Sequence, residues 1–310
     1  MTNYLKYLLS LTLFSFLACD DQINPTLEDA PEALVVDAWL TNLPGVQTIW
    51  LIKSQPYFDN SKPPAVIGAA VKVTDSNNTE FVFTDNADGS YAWTPSANET
   101  FGTIGDDYAL TIEFEGEIFT AQSKMNPVPL VDSITFHFEP EDAFSSGRFF
   151  AEFWSRDLLG PGDTYWIKAI KNGQLLNKPS EINIAYDAAF SKGGDSDSDN
   201  KPFIPPIRSG VNPSDEEDNG DAISPYIDGD SLYVEIHSIN EPAFDFLTQV
   251  AIQTDRPGGF GELFAKPLSN VSTNITNQNA NSETVALGFF NVAAVEGNGK
   301  KLIESEVERE

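Results

Sequence analysis

The chain has 310 residues, with 18 Lys and Arg against 47 Asp and Glu, a formal charge of −29. That balance excludes a nucleic-acid binder, whose phosphate contacts need basic side chains, and equally a polybasic membrane-surface protein. A single cysteine excludes intramolecular disulfides, so apolar cores have to supply the stability, and 20 Pro, 21 Gly and 12% aromatics favour short strands joined by many turns.

Residues 1–18 have the three parts of an export signal. Lys6 and the amino terminus supply positive charge, and Tyr7 to Ala18 is apolar but shorter than the roughly 20 residues a bilayer needs. Cys19, the lone thiol, follows Ala18 directly. That is where lipoprotein processing attaches a diacylglyceryl group, removes the signal and acylates the new amino terminus. Phe16 stands where leucine is usual in such boxes. The alternative is an ordinary secretory signal that leaves Cys19 unmodified. On the lipoprotein reading the partner at this end is the membrane, reached through lipid, because Asp20 and Asp21 oppose anionic headgroups. Residues 19–32, with Pro25 and Pro31, read as a spacer.

Strand signals fill residues 33–125. Leu34 to Leu40 and Thr48 to Lys53 flank a turn at Asn42-Leu43-Pro44-Gly45. Val71 to Thr74 and Phe81 to Phe83 flank Asp75 to Asn78, and Asp85-Asn86-Ala87-Asp88-Gly89 leads into Ser90 to Trp93. Tyr108, Leu110, Ile112 and Phe114 alternate with polar or small residues, and Glu115-Gly116 is a tight hairpin turn. This pattern predicts an immunoglobulin-like or transthyretin-like β-sandwich.

Asn126-Pro127-Val128-Pro129 marks the expected domain boundary, since two prolines so close cannot sit in a central strand. Residues 130–303 read as a second β-rich sandwich with one short helix. Alternation at Ile134, Phe136 and Phe138 opens it, Asn172-Gly173 signals a hairpin, and Leu232, Val234 and Ile236 resume the pattern after an acidic loop over 187–230. Asn240 caps the predicted helix, Pro242 suits its first turn, and Phe244, Leu247, Val250 and Ala251 share a face. Strand signals return over Glu283 to Val292, and residues 304–310 read as a charged, disordered tail. The fold class expected is therefore mainly β, two sandwiches in series.

Chemistry is thinly signalled. Asp195, Asp197 and Asp199 alternate as calcium ligands do, but the sixth and twelfth positions of an EF-hand loop hold Asn200 and Pro206, so only a looser calcium site or a solvated loop remains. No other cofactor is indicated. Pro202 to Ile207 is apolar within the acidic loop, so Phe203 and Ile204 are candidates for a partner contact, with packing back on the sandwich as the favoured alternative. Tyr57 and Phe58, beside Pro56 in a loop, are a second candidate contact. The five tryptophans lie in strand-like runs, where core packing is commoner than a sugar-binding face. His137 and His237 alternate within strands without a nucleophile or metal signature, so an enzyme is not expected.

Taken together, Leu34-Val35-Val36, Leu51 to Phe58, Gly68 to Asp75, Asp88-Gly89-Ser90-Tyr91, Pro242-Ala243-Phe244, Glu262-Leu263-Phe264, Asn274-Ile275 and Leu287-Gly288-Phe289-Phe290 resemble the Bacteroidetes outer-membrane lipoprotein family DUF4249. The acidic insertion at 187–230 departs from the family pattern. The resemblance implies an outer-membrane lipoprotein with an unassigned role, often encoded beside TonB-dependent receptors, and it brings no catalytic residues. Asp20-Asp21 resembles the acidic follow-on of surface-exported lipoproteins in that phylum. The function expected is a lipid-anchored, non-catalytic binding or accessory protein working with such a receptor in uptake. A structural or adhesive surface protein is the alternative, and a hydrolase the least favoured.

Overall fold

Local turn chemistry sets the hairpins. Glu115 and Gly116 (φ +51° and +81°) and Asn172 and Gly173 (φ +51° and +78°) each place two successive residues at positive φ, the turn that matches strand twist. The Asp75 Oδ1 accepts from the Asn77 and Thr79 amides (2.8 and 2.7 Å), and the Asp85 Oδ1 accepts from Ala87 N (2.7 Å), so both Asx-rich segments are turns built on their own backbone. The computed structural model describes residues 31–56, 59–97, 99–141, 146–190, 192, 200–214 and 223–307.

The chain is mainly β. The first sandwich holds β1 (Leu34–Thr41), β2 (Gln47–Lys53), β3 (Ala70–Asp75), β4 (Glu80–Asp85), β5 (Ser90–Trp93), β6 (Asp107–Phe114) and β7 (Glu117–Lys124). There follow β8 (Ser133–Glu139), β9 (Arg148–Trp154), β10 (Thr164–Lys171), β11 (Gln174–Leu175), β12 (Asn183–Tyr186), the single turn α1 (Pro205–Ser209) and β13 (Ser231–Ile239). The helix α2 (Glu241–Thr254), β14 (Thr276–Asn277) and the long β15 (Ala286–Lys301) follow. The start of the tail expected to be disordered instead forms a 3₁₀ turn over Glu304–Glu306, with Val307 packed against the second core.

The division expected at 126–129 does not separate the two cores. Along β15, Ala286 to Ala293 pair in parallel with β1, and Ala294 to Lys301 pair antiparallel with β13. One strand thus serves both sheets, and residues Glu32–Glu310 form one compact unit. Ile275, Ala286, Phe290, Val292 and Ala294, all from beyond the second half's helix, sit in the core of the first sandwich. The second core gathers Ile134, Phe153, Tyr165, Ile167, Val234 and Ile236 between β8–β9 and the β10–β13–β15 sheet. The segment around α1 enters the same core: Phe203 is fully buried between the rings of Phe153 and Tyr165 (5.7 and 5.3 Å), and Ile204 is half-buried. The packing alternative is the one the structure takes, and Phe203 presents nothing to a partner.

The helix α2 lies where the caps predict. Asn240 Oδ1 accepts from Ala243 N (2.8 Å), Pro242 stands in the first turn, and Ala243, Phe244 and Leu247 are buried. Asn240 Nδ2 also donates to Ser123 Oγ on β7 (3.1 Å), so the cap ties the helix to the first sandwich. Asn240→Ala is expected to cost about 1–2 kcal/mol, read as a lower denaturant midpoint, with Asn240→Ser recovering the capping share. An unchanged midpoint in the alanine variant would show that the cap does not hold the helix.

Candidate functional site

Strand phase decides which tryptophans face out. In β1 the inward set is Val36, Ala38 and Leu40, which turns Asp37 and Trp39 outward. In β2, Ile49 and Leu51 point in, so Thr48 and Trp50 point out. In β10, Tyr165, Ile167 and Ala169 take the core, leaving Trp166 and Lys168 on the opposite face. The outward faces of the two sheets meet where β15 passes from one to the other, and the Trp39 and Trp166 rings contact edge to face at 5.2 Å.

These six residues, Asp37, Trp39, Thr48, Trp50, Trp166 and Lys168, line a cavity of about 300 Å³. Trp39 forms its floor, stacked on Phe289 at 5.8 Å and backed by Phe246 of α2. Trp50 is 44% exposed and is the ring most open to a ligand. A smaller cavity, about 180 Å³, lies beside Glu32 and Phe114, but its cation is already engaged: Lys53 bonds Glu32 and Glu115 (3.5 and 3.4 Å).

Lys168 is in a different state. Its Nζ lies 3.8 Å from the centroid of the Trp166 ring and makes no hydrogen bond or close ion pair among the described residues. Crowding away from water lowers its pKa to about 8, while Glu235 and Asp37 pull the other way. Across the β10–β13 ladder, Lys168 stands opposite Glu235 and Trp166 opposite His237. His237 is 5% exposed, and burial lowers its pKa to about 4. It is therefore neutral at physiological pH, and because the Glu235 carboxylate can only accept, the His237 Nε2–H donates to Glu235 Oε2 (2.8 Å). That bond, ahead of burial, holds the Glu235 carboxyl below its usual range. The arrangement is a pair of locked groups beneath one ammonium that is free to donate.

Of the residues singled out in the sequence, Cys19, Tyr57, Phe58, Asp195, Asp197 and Asp199 lie outside the described residues. His137 is exposed on β8, with its ring stacked on Phe150 at 5.9 Å. Trp93 is in the first core, and Trp154 carries the Arg208 guanidinium 4.0 Å from its ring centroid. The three tryptophans that converge were all expected in cores. The phase of their flanking apolar residues is the signal that finds them.

The DUF4249 family model, described as a domain of unknown function, matches residues 20–297. No curated protein matches the chain.

Proposed function

The chain belongs to the DUF4249 family, and from that premise we propose that it is a lipid-anchored, non-catalytic binding protein of the outer membrane whose ligand site is the tryptophan cavity. The anchor in this reading is Cys19, and the working partner is a TonB-dependent receptor that takes the cargo across. The ligand is a small saccharide, with an apolar ring face laid on Trp50 and its oxygens meeting Lys168, Asp37 and Thr48.

One observation carries this reading: three tryptophans from three strands converge around an unpaired ammonium. Aromatic walls with a few placed polar groups are the usual chemistry of small-molecule sites. Binding is favoured over catalysis because, among the described residues, His237 bonds no hydroxyl or thiol that it could activate as a nucleophile. Burial of Lys168 is offset only in part by the Trp166 face, Glu235 and Asp37, a residual cost that ligand binding explains.

Quenching of tryptophan fluorescence by a panel of oligosaccharides tests the site. Trp50→Ala is expected to weaken binding by about 10-fold or more, with little change in Tm, because loss of a desolvated aromatic contact is worth on the order of 1.5–2 kcal/mol. Lys168→Met should lose affinity without losing stability at pH 7, since a folded-state pKa below the unfolded one makes the charged lysine a cost there. For the same reason, affinity should fall as pH rises through about 8, where the ammonium is lost. A panel that leaves the fluorescence unmoved, or a Trp50→Ala variant that binds as well as the parent, would remove the site. Retrieval of a TonB-dependent receptor from detergent-solubilised outer membrane tests the partner separately.

A further inference from the structure

We propose that Asp157, Asp163 and Asp187 form a calcium site that pins the loop after β9 to the end of β12. It shares no residue with the Asp195–Asp199 run, and it does not depend on the tryptophan cavity.

One carboxylate oxygen from each of the three residues lies within 4.8 Å of the others. Calcium–oxygen bonds of about 2.4 Å admit ligand pairs up to roughly that separation. Two of the three carboxylates are held from behind. The Asp187 Oδ1 accepts from the Gly162 and Asp163 amides (2.7 and 2.9 Å), and the Asp157 Oδ1 accepts from the Tyr165 hydroxyl (2.8 Å). Both side chains therefore have one oxygen oriented by the protein and a second left over, as metal ligands fixed by outer partners do.

The leftover oxygen of Asp157 carries the inference. Asp157 is 3% exposed, and its Oδ2 is buried without a hydrogen-bond partner. Ser155, 1% exposed and on the same side of the extended segment, also leaves its Oγ buried and unpartnered. Buried polar atoms without partners are rare in native proteins, and a buried carboxylate beside two others is the costliest kind. A divalent cation reverses each of these penalties, because its charge turns three mutually repelling carboxylates into ligands. The donors are all hard oxygens, which suit calcium rather than zinc or copper, and water or backbone carbonyls complete its six to eight ligands.

The full chain, stripped with chelator, is titrated with Ca²⁺, and with Mg²⁺ at matched ionic strength to control for the chain's acidity. Saturable calcium binding and a Tm rise of about 5 °C at millimolar Ca²⁺ are expected, from binding to the folded state alone. Asp157→Asn should bind one calcium fewer and lose that rise. Without metal it should melt no lower than the parent, because asparagine keeps the acceptor for Tyr165 and removes a buried charge. Should it fail to fold, Asp187→Asn keeps the acceptor for the Gly162 and Asp163 amides and is expected to show the same loss. No saturable binding, an equal Tm rise with Mg²⁺, or unchanged stoichiometry in the folded variant would overturn the assignment.

Discussion

Replacing Gly288 by alanine is expected to remove at least about 4 kcal/mol of stability, a large share of the roughly 5–15 kcal/mol by which a domain is ordinarily stable. Gly288 lies in β15 opposite Val36 of β1, with φ +86°. A Cβ there would stand 1.9 Å from the Val36 carbonyl oxygen and 2.8 Å from its carbonyl carbon. The obstacle is backbone, so no rotamer change relieves it. The only relief is to part β1 from β15, at the ladder on which both sheets depend. Positive φ adds a smaller, separable cost. Gly45 provides the control: its φ is +117°, and a Cβ added there would meet nothing within 4 Å, so Gly45→Ala should cost only about 1 kcal/mol. Denaturant midpoints for the two variants measure the difference, and a Gly288→Ala protein that unfolds near the parental midpoint would show that the strands are not held so closely.

Where a strand is covered on one face, its alternation spells out the fold. The phase of β6, with Tyr108, Leu110 and Ile112 turned in, is visible in the sequence, as are the Glu115-Gly116 and Asn172-Gly173 turns and the cap at Asn240. β15 is harder to see because it is covered twice. Phe290, Val292 and Ala294 enter the first core, while Phe289 and Ala293 meet α2, so the middle of the strand is apolar throughout and no alternation shows. Its second half is disguised differently. Gly297 and Gly299 look like turn residues, yet they are strand positions where the Tyr233 ring lies so close that a Cβ at either would meet it at 2.9 Å. The long reach of β15 then conceals the site as well. Trp39, Trp50 and Trp166 are each turned outward by local phase, but their convergence depends on a strand more than a hundred residues from any of them joining the two sheets. The calcium cluster has the same character: Asp157, Asp163 and Asp187 are unremarkable singly in an acidic chain, and only the β10–β12 pairing brings the third beside the first two.

A fragment spanning residues 32–129 is therefore expected not to fold, although it contains every strand from β1 to β7. Alone, it lacks Phe290 and Val292, both fully buried, along with Ile275, Ala286 and Ala294. Truncating a single buried Phe to Ala costs about 3–5 kcal/mol and a buried Ile about 2–5, so losing this whole set is comparable to the roughly 5–15 kcal/mol by which domains are stable. The backbone fares no better. β1 loses its eight-residue parallel ladder, and Ser123 Oγ loses the Val292 amide it accepts from at 2.9 Å. Supplying residues 272–296 as a peptide restores all of these at once: the inner residues, the β1 ladder and the pairing of β14 with β7. Near-ultraviolet circular dichroism and denaturant melts of the fragment, with and without that peptide, separate the cases. The expected result is a cooperative transition only when the peptide is present. A fragment that melts cooperatively by itself would mean that the first sandwich closes its own core, and that β15 is an addition to it rather than a part.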